Sequence, residues 1–407
     1  MNWPVVKFEE FYAEPSRNGV YKPKQFHGSG VRIVNMGELF AYDVISDQEM
    51  NRLVMTDSEM ARSGLQNGDL LFGRRSLVEA GAGKCSLVEG ISEPTTFESS
   101  IIRVRIDKER VRPRFLFYWL KSHQGRGAIK AIVTGTNVKG IRGTVLKDIR
   151  VPCPPARLQD DVVSTLKAYD DLIENNRRRI QLLEQAARLL YKEWFVHLRF
   201  PGHEHVKIRN GVPEGWEKKK ISDVCETVGG GTPSTKVPDY WDGDITWVVP
   251  SDITKNDCLV LLDSERKISE SGLKQSSAKL VPPNTILMTS RASVGFFALM
   301  DREVCTNQGF INVIPNNDDH RFYLLFNLMG RVDEIRSNAK GTTYPEISKS
   351  RFRAMDIVLP ETMLITAFGE IVDGLIKQVQ CLNKQIVQLA KARDLLLPRL
   401  MNGEIAV

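Results

Sequence analysis

The chain has 407 residues, 42% hydrophobic and 26% charged, with a formal net charge of +6, which describes two or three globular domains rather than one core or a disordered chain. No run of 18 apolar residues occurs and MNWPVVKFEEFYAEP lacks the regions of a signal peptide, so membrane spans and secretion are not expected and the reading is cytoplasmic. The six cysteines, at 85, 153, 225, 258, 305 and 381, form no CxxC pair, which argues against a zinc ribbon, a redox pair or a disulfide framework.

Taken in chain order, WPVVKFEEF at Trp3, VRIVNMGEL at Val31 and NGDLLFGRRS ending at Ser76 have the apolar, β-branched pattern of strands. GAGKCS at Gly81 is not a phosphate loop: the position of its first glycine is Val78, and Cys85 replaces the hydroxyl that would hold magnesium. Arg103, Arg105, Lys108, Arg110, Arg112 and Arg114 form a basic cluster that suits either a polyanion or a solvated face, and Arg177 to Arg179 form a second run. From Arg114, RFLFYWLKSHQGRGAIKAIV reads as a helix, TGTNVKGI as a loop and Asp148 to Val151 as a strand. A long helix is then expected after Pro154 and Pro155, residues tolerated at a helix start. Leu158, Val162, Leu166, Tyr169, Ile173, Ile180, Leu183, Ala187, Leu190 and Trp194 give it a heptad seam until Pro201 and Gly202 end it. At 1.5 Å per residue the helix would be roughly 60 Å long.

The chain then repeats itself. Trp216 answers Trp3, ITWVVPSDI at Ile245 answers Val31, and Arg291 in TILMTSRAS answers Arg75. RFYLLFNLMGRVDEIRSNAK at Arg321 is the second helical stretch, followed by KGTTYPEI and a strand from Met355 to Leu359. From Gly135 and Thr136, which match Gly341 and Thr342, the offset stays at 206 to the end of the second long helix. That helix carries Leu364, Phe368, Val372, Leu375, Val379, Ile386, Leu389 and Leu396. Gly369 and Gly374 weaken it by about 1 kcal/mol each, and Pro398 is expected to kink or close it. A dozen apolar side chains per helix, at about 1.5 to 3 kcal/mol each, exclude exposed seams. The economical arrangement is an α+β molecule with two similar mixed α/β domains separated by two long antiparallel coiled-coil helices, pseudo-twofold overall. Its parts are expected at 1–155, 156–200, 201–360 and 361–407; independent packing of each helix on its own domain is the alternative.

Catalytic constellations are missing. No GxSxG, HExxH or GxGxxG occurs, no amino-methyltransferase signature is present, and His203 with His205 has no third metal ligand in view. The repeated loops are the better candidates, because glycine lets the backbone approach a ligand while hydroxyls, Arg and Lys address phosphates and base edges. In the first copy these are Arg75, Thr136, Lys139 and Arg142. In the second they are Thr232, Thr235, Lys236, Tyr240, Arg291, Lys340, Thr342, Thr343 and Tyr344, with Lys349 and Arg351 nearby. Tyr191, Trp194 and Phe195 crowd the end of the first long helix and are expected to pack on the second helix or a partner subunit.

The succession GWEKKKISDV, GGGTPS, YWDGDITWVVPSDI, TILMTSRASVG, CTNQGF, GTTYPEIS and DIVLP before a long helix resembles the target recognition domain of type I restriction-modification specificity subunits. The resemblance covers essentially the whole chain, although GGGTPS is not evident near Ser16 to Gly30 and TNQG has no clear counterpart near Thr96 to Ser100. It implies a non-catalytic subunit that reads a bipartite double-stranded DNA target, with the helices fixing the unread gap and docking modification subunits, two per chain. No cofactor is implied for this chain; S-adenosylmethionine belongs to the methyltransferase partners, and ATP and Mg to restriction subunits where the system has them. The competing readings are a self-contained methyltransferase or nuclease with a fused recognition domain, and a coiled-coil adaptor without a DNA role.

Overall fold

The strand Ile101–Ile106 organises the first copy. It pairs antiparallel with Tyr12–Asn18 on one side and Leu70–Gly73 on the other, and Cys85–Val88 and Val44–Ile45 complete a five-stranded sheet. The computed structural model describes residues 3–77, 81–341 and 344–405. Its contacts divide the chain into two units, Met1–Asp171 with Leu389–Val407 and Leu172–Gln388.

The two units share their main parts, around a five-stranded sheet in the first and a four-stranded one in the second. In the second, Phe310–Pro315 takes the organising place, between Cys225–Gly229 and Ile286–Thr289. Both units add a small three-stranded sheet whose middle strand is bulged: His27 and Val31 both face Leu53, and Trp241 and Ile245 both face Ile268. Val34 then lies beside Phe97 in a parallel pair, as Val248 lies beside Thr306. An N-terminal strand closes each unit against the strand before its long helix, Val5–Lys7 on Arg150–Pro152 and Glu217–Lys220 on Asp356–Leu359.

The two shorter helical stretches are each broken. Pro113–Lys121 stops where the Ser122 hydroxyl turns to cap His123–Ala131, accepting from Gly125 N at 3.2 Å. Arg321–Gly330 and Val332–Ser337 divide at Arg331. The first segment of each pair is buried nearly all round, from Arg114 to Leu120 and from Phe322 to Leu328, so it is a core helix rather than an amphipathic one.

The central helix runs over Ala156–Tyr191 and the C-terminal helix over Thr362–Met401, and each contributes to both units. In the first unit, Val162 and Leu166 share a core with Leu397, Leu400 and Met401, and Asp170 Oδ1 pairs with Arg393 Nη1 at 2.7 Å. Pro398 therefore does not close the helix; burial of Leu397, Leu400 and Met401 outweighs one missing backbone hydrogen bond. In the second unit the helices run antiparallel, Asn176 donating to Gln385 at 3.2 Å while Tyr191 meets Phe368. The expected second seam is wider than a heptad line: Ile365, Ile376 and Leu382 are buried with Phe368, Val372 and Val379, because this helix packs on its domain as well as on its partner.

Beyond Tyr191 the helix takes a wider turn, His197 N bonding Lys192 O at 2.8 Å. The extra residue brings Tyr191, Trp194 and Phe195 onto one inward face. There they meet Tyr323, Phe326, Phe368 and Trp216 in the second unit's core, where they are 7%, 9% and 9% exposed. A partner subunit finds no open docking surface on these three side chains.

Candidate nucleic-acid interface

In the first unit the loop after the paired short helices folds back on itself. Thr134 and Gly140 exchange both backbone hydrogen bonds at 2.9 Å, and Lys139–Gly140 pairs antiparallel with Arg75–Ser76, Gly140 opposite Arg75. Ile141 anchors the loop: it is 2% exposed in the main core and its N–H donates to Arg74 O at 3.1 Å. Arg75 and Lys139 are thus brought onto one ribbon, with Thr136 exposed at the tip and Arg142 exposed at the exit.

The second unit builds the same object from different letters. Lys340 and Glu346 exchange backbone hydrogen bonds at 2.9 Å, Glu346 lies opposite Arg291, and buried Ile347 donates to Ser290 O at 3.0 Å. Arg291, Lys340 and Tyr344 are gathered there, Tyr344 being 67% exposed, and Arg291 Nε sits 3.8 Å from Glu346 Oε2. Thr342 and Thr343 lie outside the described residues. Beside the loop a groove of about 580 Å³ is lined by Asn338, Lys340, Glu346, Ser348, Ser350 and Arg351.

Thr232, Thr235, Lys236 and Tyr240 occupy a separate loop. Gly229 begins it next to Lys349, whose Nζ is 3.0 Å from the place of a Cβ on that glycine. A Cβ on Gly230 would lie 2.1 Å from Asn307 O, Gly231 N donates to Thr306 O at 2.9 Å, and the Thr232 hydroxyl bonds the Gln308 amide. GGGTPS and TNQG are therefore two halves of one packed corner. Tyr240 is half-buried against the Trp241 and Trp247 cluster, so it belongs partly to the core, whereas Thr235 and Lys236 are exposed. Arg266, which sequence reading passed over, lies over Trp241, its guanidinium carbon 3.6 Å from the ring centroid.

The first unit has this corner too. A Cβ on Gly19 would meet Phe97 O at 2.1 Å, Val20 N donates to Phe97 O at 2.9 Å, and Glu98 N donates to Val34 O as Asn307 N does to Val248 O. A lone glycine does the backbone's work without the motif's other letters.

Pairing separates the basic residues into two classes. The cluster at 103–114 is largely committed within the chain: Arg103 and Arg105 to Glu14 and Asp69, Arg110 to Asp107, Arg112 to Asp160, and Arg114 to Glu89 and Asp170. Arg105 and Arg114 are held charged by these partners against the opposing effect of burial. By contrast Arg75, Lys139, Arg142, Lys236, Lys340 and Arg351 have no ion-pair partner among the described residues. These six cations lie on the candidate loops or beside them, where phosphates could meet them.

The family model for the type I restriction modification DNA specificity domain matches residues 61–185 and 213–391. The chain is 33% identical to the MjaIX specificity subunit of Methanocaldococcus jannaschii over 44% of each chain. It is 23% identical to the HindI specificity subunit of Haemophilus influenzae over 85% of this chain and 88% of that one. Its fold is similar to the crystal structure of the S subunit of a type I restriction-modification system from M. genitalium, with a TM-score of 0.59, 16% identity and coverage of 98% and 96%.

Proposed function

We infer that this chain, which belongs to the type I restriction-modification DNA specificity family, reads a bipartite DNA target, one half with each unit. It is the DNA specificity subunit of a type I restriction-modification system, the non-catalytic member of a complex that binds DNA. The observation that carries the bipartite reading is the recurrence of one loop geometry, Arg75 opposite Gly140 and Arg291 opposite Glu346, each beside a glycine-held turn and unpaired lysine.

The cations address phosphates and fix register, while loop side chains that differ between the units address base edges and give different half-sites. Two similar units suit two modification subunits per chain. Those partners would bring S-adenosylmethionine, and restriction subunits ATP and Mg. Among the described residues no helix is long and apolar enough to cross a membrane, and a DNA target is in keeping with a cytoplasmic complex.

The test is co-expression with the cognate modification subunits and mapping of methylated bases in the host genome. A split motif is expected. Lys340→Ala with Tyr344→Ala should weaken specific binding by about 1 to 3 kcal/mol and reduce its salt dependence by roughly one phosphate contact. Unchanged binding by that folded, assembled variant removes the loop from the interface.

A further inference from the structure

Arg266 lies on the short strand Arg266–Ile268, outside the motifs that mark the neighbouring loop. Its guanidinium carbon is 3.6 Å from the Trp241 ring centroid and 5.6 Å from that of Trp247. The residue is exposed, and among the described residues its side chain makes no hydrogen bond or ion pair. That sets it apart from Arg103, Arg105, Arg112 and Arg114, each of which is ion-paired with a carboxylate.

Its platform is rigid. The two indoles meet edge to face with centroids 5.0 Å apart. Trp241 Nε1 donates to Ser234 O at 3.1 Å and Trp247 Nε1 to Gly231 O at 2.9 Å, so both rings are tied to the loop that carries Thr235 and Lys236. A long, flexible side chain is thereby held in one plane beside that loop, with its donors unused. Ordering it in advance removes much of the conformational entropy that a free arginine loses on binding.

The register of the small sheets shows what the first unit has instead. Trp247 faces Arg266 in one, and Ile33 N bonds Asn51 O at the matching step of the other, while His27 stands in the place of Trp241. At this position the first unit therefore has Asn51 and His27 where the second has Arg266 and Trp241.

We propose that Arg266 reads a guanine in the half-site taken by the second unit, an inference that rests on the bipartite reading above. A guanidinium fork matches guanine O6 and N7 in the major groove, which an ammonium cannot do in the same bidentate way. The stack on Trp241 fixes the plane of that fork.

The experiment compares the wild-type chain, Arg266→Lys and Arg266→Ala, each assembled with its modification subunits, by genome-wide methylation mapping. The wild type should give a split motif. In both variants one G·C position in one half should become degenerate, discrimination there falling about 5- to 150-fold, while the other half keeps its bases. Arg266→Lys keeps the charge and should retain methylation at the original sites. An unchanged motif in both variants overturns the proposal, as does loss of methylation at every site in Arg266→Lys, which would mark a structural role. A wild-type motif that is not split contradicts the bipartite reading instead, and does so before any substitution is made.

Discussion

Gly135 and Gly341 hold the same left-handed backbone, φ +104° and +105°, and each faces the carbonyl three residues on: a Cβ would lie 2.1 Å from Val138 O in one loop and 2.8 Å from Tyr344 O in the other. Alanine at either site combines a strained φ, about 1 to 3 kcal/mol, with a collision against backbone. The loop should open and release Arg75 or Arg291 from its ribbon. Gly135→Ala is expected to impair recognition of one half-site and Gly341→Ala the other, each lowering the melting temperature by only a few degrees. Binding of the assembled complexes to DNA altered in one half at a time checks this; equal loss on both halves would contradict it.

Trp194→Ala should act on the fold rather than on reading. The indole lies 6.0 Å from the Phe368 ring and 6.1 Å from Phe195 in a shared aromatic core. Truncation should remove roughly 3 to 5 kcal/mol, visible as a lower denaturation midpoint with the methylated motif intact. Full stability with a changed motif would move Trp194 to the DNA side.

Glu184 provides a pH test. Burial raises its carboxyl above the ordinary 4.5, against the Leu259 N–H that donates to it at 2.5 Å and the guanidinium of Arg188 at 4.0 Å. A carboxyl raised in the folded state stabilises the fold while protonated. That contribution is complete below about pH 4.5 and is lost as pH rises through the folded value. Glu184→Gln keeps an oxygen for Leu259 N–H and removes the buried charge. It should be more stable than wild type at pH 7, with the difference closing as pH falls below 4.5. Urea midpoints across that range measure it, and a variant less stable at pH 7 would contradict the sign.

Much of this was legible in the chain because a repeated fold repeats its spacing. The matches of Val31 with Ile245 and of Arg75 with Arg291 coincide with the strand registers, and Gly135 with Gly341 marks one turn twice. The basic cluster had to stay open between a polyanion and a face of its own, since Glu14, Asp69, Glu89 and Asp160 reach it from 25 to 89 residues away and composition carries no record of such pairing. The first unit's packed corner was hidden for another reason: its contacts are made by backbone, and only Gly19 had to be kept. Arg266 escaped notice because an isolated arginine acquires its meaning from Trp241, which lies on a different strand.

Lengthening both helices where the units divide decides whether two readers on one chain take two half-sites across a gap set by the helices. One heptad inserted after Asp171 and one after Gln388 leave each unit's own residues uninterrupted. They add about 10 Å of helix, equivalent to roughly three base pairs. Methylation mapping of this variant beside the wild type should show the same half-site bases with the gap longer by up to that amount. An unchanged gap at full activity, or altered half-site bases, would contradict the account.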